Sequence, residues 1–252
     1  MGMGRGFINE PHLSIIIPAY KAESFIVKSV KEVDLVLGRL TNSYEIICVV
    51  DGKVDDTFSL VKELTEKNRK IKVLSYKNNR GKGYAVRYGM MKARGKLVGF
   101  IDAGLEIDPE SIVKLLEVQK KENADIVVGS KRHPNSKVEY PTLRQIISVI
   151  YYFLVKILFR PKVTDTQAGV KIFKGSVIKK ILPRLHINGF AFDIEVLMQA
   201  NILGYKKIHE APIFVKMVKA EKSSTLDTSS KIFSASIKMF IDTVGLFFRL
   251  KK

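Results

Sequence analysis

The first half of the chain alternates between short apolar runs and longer segments with helical spacing. Leu13–Ala19, Tyr44–Val50, Ile71–Tyr76, Leu97–Ile101 and Asp125–Val128 are compact and rich in Val and Ile, and each predicts a buried strand. The segments between them, Glu23–Gly38, Asp55–Lys67, Gly83–Ala93 and Pro109–Lys121, repeat their apolar residues every three or four positions and predict helices. Strands alternating with helices imply a mostly parallel sheet covered on both faces, whose ligands sit at the carboxyl ends of the strands. Polar and glycine residues collect there: Pro18-Ala19-Tyr20, Asp51-Gly52, Asn78–Gly83 and Asp102-Ala103-Gly104. A nucleotide pocket requires such an edge.

The second half departs from that rhythm. Thr142–Phe159 is helical and strongly apolar, Thr164–Phe173 is a polar loop running into a strand, and Phe192–Leu203 is a helix with Asp193 and Glu195 in its first turn. Lys207–Val215 reads as a strand interrupted at Pro212, Ala220–Ser230 as a polar loop, and Lys231–Leu250 as an amphipathic helix. No stretch reaches the roughly 18 uncharged apolar residues of a membrane span, and Met1–Pro11 lacks the apolar centre of a signal peptide.

Composition adds charge to this picture. The 252 residues carry a formal net charge of +18, which draws the chain toward phosphorylated ligands, anionic lipid or nucleic acid. The zinc-finger spacing and aromatic RNP pattern of nucleic-acid binders are missing. The single cysteine, Cys48, sits in an apolar strand and reads as a small buried hydrophobe.

Five segments in order carry a resemblance. They are Ile15–Glu23 with Pro18-Ala19-Tyr20, Val49–Thr57 with Asp51-Gly52, Asn79-Arg80-Gly81-Lys82-Gly83, Phe100–Glu106 with Asp102-Ala103-Gly104, and Val163–Gly169 paired with Gly189–Glu195. Together they resemble family 2 glycosyltransferases of GT-A fold, within them the dolichyl or polyprenyl phosphate glucose and mannose synthases. The resemblance runs from about Leu13 to the C-terminus. It implies one catalytic domain over 1–230, with a nucleotide half at about 11–130 and an acceptor half at about 131–230; the basic, aromatic-rich amphipathic pattern after it reads as a membrane-interface helix over 231–252.

The resemblance also implies roles. Pro18, Ala19, Tyr20, Glu23, Asp51, Gly81, Lys82, Asp102 and Ala103 would bind the donor nucleotide. Asp102, Asp165, Gln167, Asp193 and Glu195 would line the sugar and reaction centre. A divalent cation, Mg2+ or Mn2+, would sit on Asp102; the family's second aspartate is Gly104 here, and Glu106 is positioned to supply the missing oxygen. Lys131, Arg132, Arg144, Ser148, Lys222 and Ser223 would hold the acceptor phosphate, Arg144 and Ser148 sharing one helix face. The implied reaction moves a hexose from a nucleotide-sugar, UDP-glucose first, to a polyprenyl or dolichyl phosphate, with inversion, on the cytosolic surface of a membrane. A GDP-mannose-dependent synthase and a non-catalytic nucleotide- or lipid-binding relative are the alternatives.

Overall fold

The computed structural model describes residues 12–139, 142–216 and 229–251, without the side chains of 142–146 and 229–236. Nine strands and eight α-helices follow in this order: β1 Leu13–Ala19, α1 Ile26–Leu40, β2 Tyr44–Val50, α2 Thr57–Lys67, β3 Ile71–Ser75, α3 Lys82–Lys92, β4 Leu97–Ile101, α4 Glu110–Glu122, β5 Ile126–Ser130, β6 Lys137–Val138, α5 Thr142–Phe159, β7 Val170–Lys174, α6 Gly175–Ile181, α7 Phe192–Ile202, β8 Ile208–Pro212, β9 Phe214–Val215 and α8 Ser229–Lys251 among the described residues.

Seven strands form one sheet in the order β3-β2-β1-β4-β7-β5-β8. All neighbours run parallel except β7, which is antiparallel to both β4 and β5. The order reverses beside β1, so a crevice opens at the carboxyl ends of β1 and β4. Because β7 runs the other way, its amino end reaches that same edge. The polar loop before it is thereby delivered to the crevice.

Two apolar layers clothe the sheet. One face carries α1, α2 and α4 over Ile15, Ile17, Ile46, Cys48 and Val127. The other packs Ile16, Ile47, Phe100 and Val128 against residues of α3, α5, α6, α7 and α8. Residues alternating along β1 and β2 thus serve opposite layers, and these strands read as unbroken apolar runs. Helix α7 is buried from Phe192 to Ala200 on all sides, so the two acids of its first turn are removed from water.

The structure adjusts several expected boundaries. Helix α1 starts at Ile26 because the Ala22 carbonyl accepts from the Phe25 and Ile26 amides, and it continues past Gly38 to Leu40. Helix α2 starts at Thr57, with Asp55 Oδ1 accepting from the Thr57 amide. The short β6 and helix α6 were not foreseen. The strand break falls at Ile213, one residue past the expected Pro212, and separates β8 from β9, which pairs with β6.

Candidate active site

A cavity of about 440 Å³ occupies the crevice, within the usual ~300–1,000 Å³ of a small-molecule site. The end of β1 contributes Pro18, Ala19 and Tyr20, and β2 contributes Asp51. The loop before α3 contributes Asn79, Gly81 and Lys82, and the end of β4 contributes Asp102, Ala103, Gly104 and Glu106. Lys131, Gln167 and Gly169 form the wall toward β5 and β7, and Lys238, Met239 and Asp242 of α8 close the far side.

The loop before α3 is organised by Asp51. Its Oδ1 accepts from the Arg80 amide at 2.6 Å, and its Oδ2 accepts from the Gly81 amide and the Asn79 side chain, each at 2.9 Å. Gly81 takes φ 99°, and a Cβ there would stand 2.5 Å from the Asn188 carbonyl oxygen. Only glycine accommodates both that backbone and that approach. Asp51 therefore fixes the loop that presents Lys82, with its carboxylate oxygens engaged in doing so.

Lys82 is the first residue of α3, and its ammonium lies 2.9 Å from Asp102 and 3.3 Å from Asp193. Behind it, the fully buried Lys171 of β7 donates to Asp193 Oδ1 and to the Ala168 carbonyl. The two ammonium groups flank Phe100, whose ring centroid lies 5.5 Å from the Lys82 nitrogen and 5.3 Å from that of Lys171. Burial opposes ionisation of Asp193, yet Lys171 and then Lys82 hold its carboxyl below the usual range. Burial would also strip Lys82 of its proton, but Asp102 and Asp193 outweigh it and push the ammonium's pKa up. Lys171 is shifted down by its burial. Asp102 is shifted up, by removal from water first and by the charge of Asp193 second, against the pull of Lys82. Gly169 is required beside it, since a Cβ there would collide with the Asp102 carboxylate.

A second cavity of about 220 Å³ adjoins the first and shares Lys131, Gln167 and Met239 with it. Arg132, Ser148, Tyr151, Tyr152 and Thr164 also line it. The Arg132 guanidinium donates to the Ser148 carbonyl at 3.1 Å and lies 4.6 Å from the centre of the Tyr152 ring. Asp165 stands at the junction: its Oδ2 accepts from the Lys131 amide at 3.0 Å and pairs with the Lys131 ammonium at 3.0 Å, while Oδ1 accepts from the Gln167 amide. Burial raises the Asp165 pKa, but Lys131 overrides it and holds the carboxyl low.

The structure thus gathers most of the expected residues into two connected cavities and sets three of them outside: Glu23, Glu195 and Asp193, the last buried behind the Lys82 ammonium at 3.3 Å. The exposed Glu23 accepts from the Asp56 amide at 3.0 Å and caps the turn into α2; it does not line either cavity. Glu195 accepts from the His186 and Ile187 amides, with Arg249 at 3.4 Å, and anchors the segment that packs on Gly81 instead of lining either cavity. Arg144 lies on α5 with its side chain outside the described residues, and Lys222 and Ser223 lie outside them altogether. Lys171, Lys238 and Asp242 escaped sequence reasoning. For Lys171 a signal existed: a lone cation inside the strand run Val170–Phe173 must find a buried partner.

Residues 14–182 match the Glycosyl transferase family 2 domain. The chain is 32% identical over 255 aligned positions to a dolichyl-phosphate beta-glucosyltransferase of Dictyostelium discoideum, covering 96% of this chain and 76% of that one. It is 35% identical to a dolichyl-phosphate beta-glucosyltransferase of Drosophila melanogaster, over 76% of this chain and 63% of the relative. Among solved structures, glucosyl-3-phosphoglycerate synthase of Mycobacterium tuberculosis with Mn2+, UDP and phosphoglyceric acid superposes with a TM-score of 0.70 at 17% identity, over 94% of this chain and 78% of that one. The architecture is therefore GT-A, and the chain belongs to glycosyltransferase family 2.

Proposed function

We propose that this glycosyltransferase moves glucose from UDP-glucose to a dolichyl or polyprenyl phosphate at a membrane surface. The observation that carries this reading is the junction of the two cavities, where Lys131, Gln167 and Met239 face both. One cavity lies on the nucleotide-type edge of the sheet, and the other is lined by cations and aromatic rings suited to a phosphate on an apolar chain. The names of the relatives favour the same donor sugar and acceptor.

A divalent cation fits the donor cavity. Asp102 and Glu106 line the same wall, the Asp102 carboxylate is held at 2.9 Å by the Lys82 ammonium, and the space over Gly104 is open. Both side chains offer the hard oxygens that Mg2+ or Mn2+ prefers, and no cluster of three or more ligating side chains stands among the described residues, so the diphosphate would complete the shell. The bound cation would neutralise charge on the departing diphosphate. The chain's own part is positioning. Lys82, held by two carboxylates, adds a fixed positive charge beside that diphosphate. Lys131 and Arg132 orient the acceptor phosphate, which with a second pKa near ~6 is largely dianionic at neutral pH and attacks without a strong general base.

The reaction inverts the anomeric centre in this reading, and residues 231–252 add the helix that rests on the bilayer. Ile237, Phe240, Ile241 and Phe248 of α8 and Ile150, Phe153 and Ile157 of α5 are exposed, as an interfacial surface requires. No helix among the described residues is long and apolar enough to cross a membrane. The test is incubation with labelled UDP-glucose, GDP-mannose and dolichyl phosphate, followed by lipid extraction and anomeric analysis. Labelled β-glucosyl lipid is expected, and Asp102→Asn should lower its formation by about 10³-fold. An α-linked product, or mannose transfer alone, would overturn the assignment.

A further inference from the structure

Helix α8 does more than present an apolar surface. Its inward side supplies Lys238, Met239 and Asp242 to the wall of the donor cavity, opposite the strand ends that carry Lys82 and Asp102. Asp242 is half-buried and has no hydrogen-bond or ion-pair partner among the described residues, whereas Asp51, Asp165 and Asp193 are each engaged by amides or ammonium groups. A methyl group added at Gly189 would stand 3.0 Å from Asp242 Oδ2, so the carboxylate leans over the Gly189–Phe190 backbone into the cavity. It also lies near the cavity junction: Tyr151 of the second cavity feels its charge together with that of Asp193, and Met239, one turn earlier on the same helix, faces both cavities.

A carboxylate in this place is unsuited to the diphosphate, which it repels, and well suited to neutral sugar hydroxyls, which donate to both of its oxygens. Resting on the donor reading given above, we infer that Asp242 binds hydroxyl groups of the transferred hexose, so that α8 closes the sugar end of the active site.

The experiment compares each nucleotide with its sugar conjugate, UDP against UDP-glucose and GDP against GDP-mannose, by calorimetry on the full chain and on Asp242→Ala and Asp242→Asn. Wild type is expected to bind one pair. Asp242→Ala should then weaken the nucleotide-sugar about tenfold while leaving the bare nucleotide within about twofold, with Asp242→Asn intermediate because its amide still hydrogen-bonds. The unchanged bare-nucleotide affinity also certifies that the variant is folded. The inference is overturned if both affinities stay unchanged, or if nucleotide and nucleotide-sugar weaken together. If wild type binds neither pair, the donor reading fails and this inference with it. If wild type binds a pair normally and the variant discriminates as wild type does, only the role of Asp242 fails.

Discussion

Asp51 and Asp193 are both almost fully buried at the same sheet edge, yet they are held by opposite means. Asp51 is surrounded by neutral donors from three consecutive residues, Asn79 to Gly81. Asp193 is neutralised by two ammonium groups from distant elements, Lys171 of β7 and Lys82 of α3. Amide donors shape one local loop. Full charges tie together segments far apart in sequence, and leave an expensive remainder if one partner is lost. The loop beside β2 therefore owes its geometry to backbone donors, and the junction of α3, β7 and α7 to charge balance.

The largest consequence concerns Lys171. Lys171→Met removes a fully buried cation and leaves Asp193 with Lys82 alone. Breaking a buried pair in this manner costs about 3–5 kcal/mol, read as a lower urea midpoint at unchanged slope. A second change, Asp193→Leu, should return much of that stability while leaving the enzyme inactive, because Lys82 loses its inner anchor. If Lys171→Met costs no more than an exposed lysine substitution, charge balance does not organise the junction of α3, β7 and α7.

Acid should separate the two regions next. Asp165 and Asp193 titrate below the ordinary carboxylate value in the folded state. Each therefore contributes stability that is complete above the unfolded pKa near ~4 and is lost as pH falls through the lower folded value. Asp102 is shifted upward, so its contribution has the opposite sign and offsets part of the loss. Urea midpoints should fall as pH drops below about 4, and Asp165→Asn should flatten that fall. An identical slope in the variant would remove Asp165 from the account.

The comparison also explains what could be read from residues alone. The crevice at the ends of β1, β2 and β4 was legible because its polar residues lie at strand ends in chain order, and an apolar run followed by Asp51-Gly52 or Asp102-Ala103 announces itself. The delivery of Asp165–Gly169 to the same edge depends on β7 running antiparallel, and strand direction leaves no trace in periodicity. Asp193 and Glu195 are both acids of one first turn, and the sequence does not distinguish them; only packing shows that Asp193 faces the lysines and Glu195 the His186 amide. Asp242 lay hidden within a helix whose aromatic residues dominate its pattern.

A smaller effect is expected at Asp51. Asp51→Asn keeps the shape but replaces one acceptor oxygen by a donor that faces the loop amides. The loop before α3 should loosen, raising the dissociation constant for UDP about tenfold with little change in the turnover of saturated enzyme. A fall in turnover with unchanged affinity would instead make Asp51 part of the reacting centre.

The smallest effect belongs to Glu23, which gives the β1–β2 side of the crevice its sharpest internal control. Its carboxylate accepts from the Asp56 amide, and the Glu23 amide in turn approaches Asp55 Oδ2 at 3.4 Å. This exchange fastens the start of α2 to the turn after β1, beneath the backbone segment that carries Tyr20 but away from the cavity itself. Glu23→Gln preserves an acceptor oxygen and should change the KM for the nucleotide-sugar less than twofold. Glu23→Ala should remove the cap and lower the melting temperature by about 2–4 °C, again with KM nearly unchanged. A tenfold rise in KM for either variant would mean that the turn reaches the nucleotide after all. The division between residues that touch the donor and residues that hold the loops would then have to be redrawn at β1.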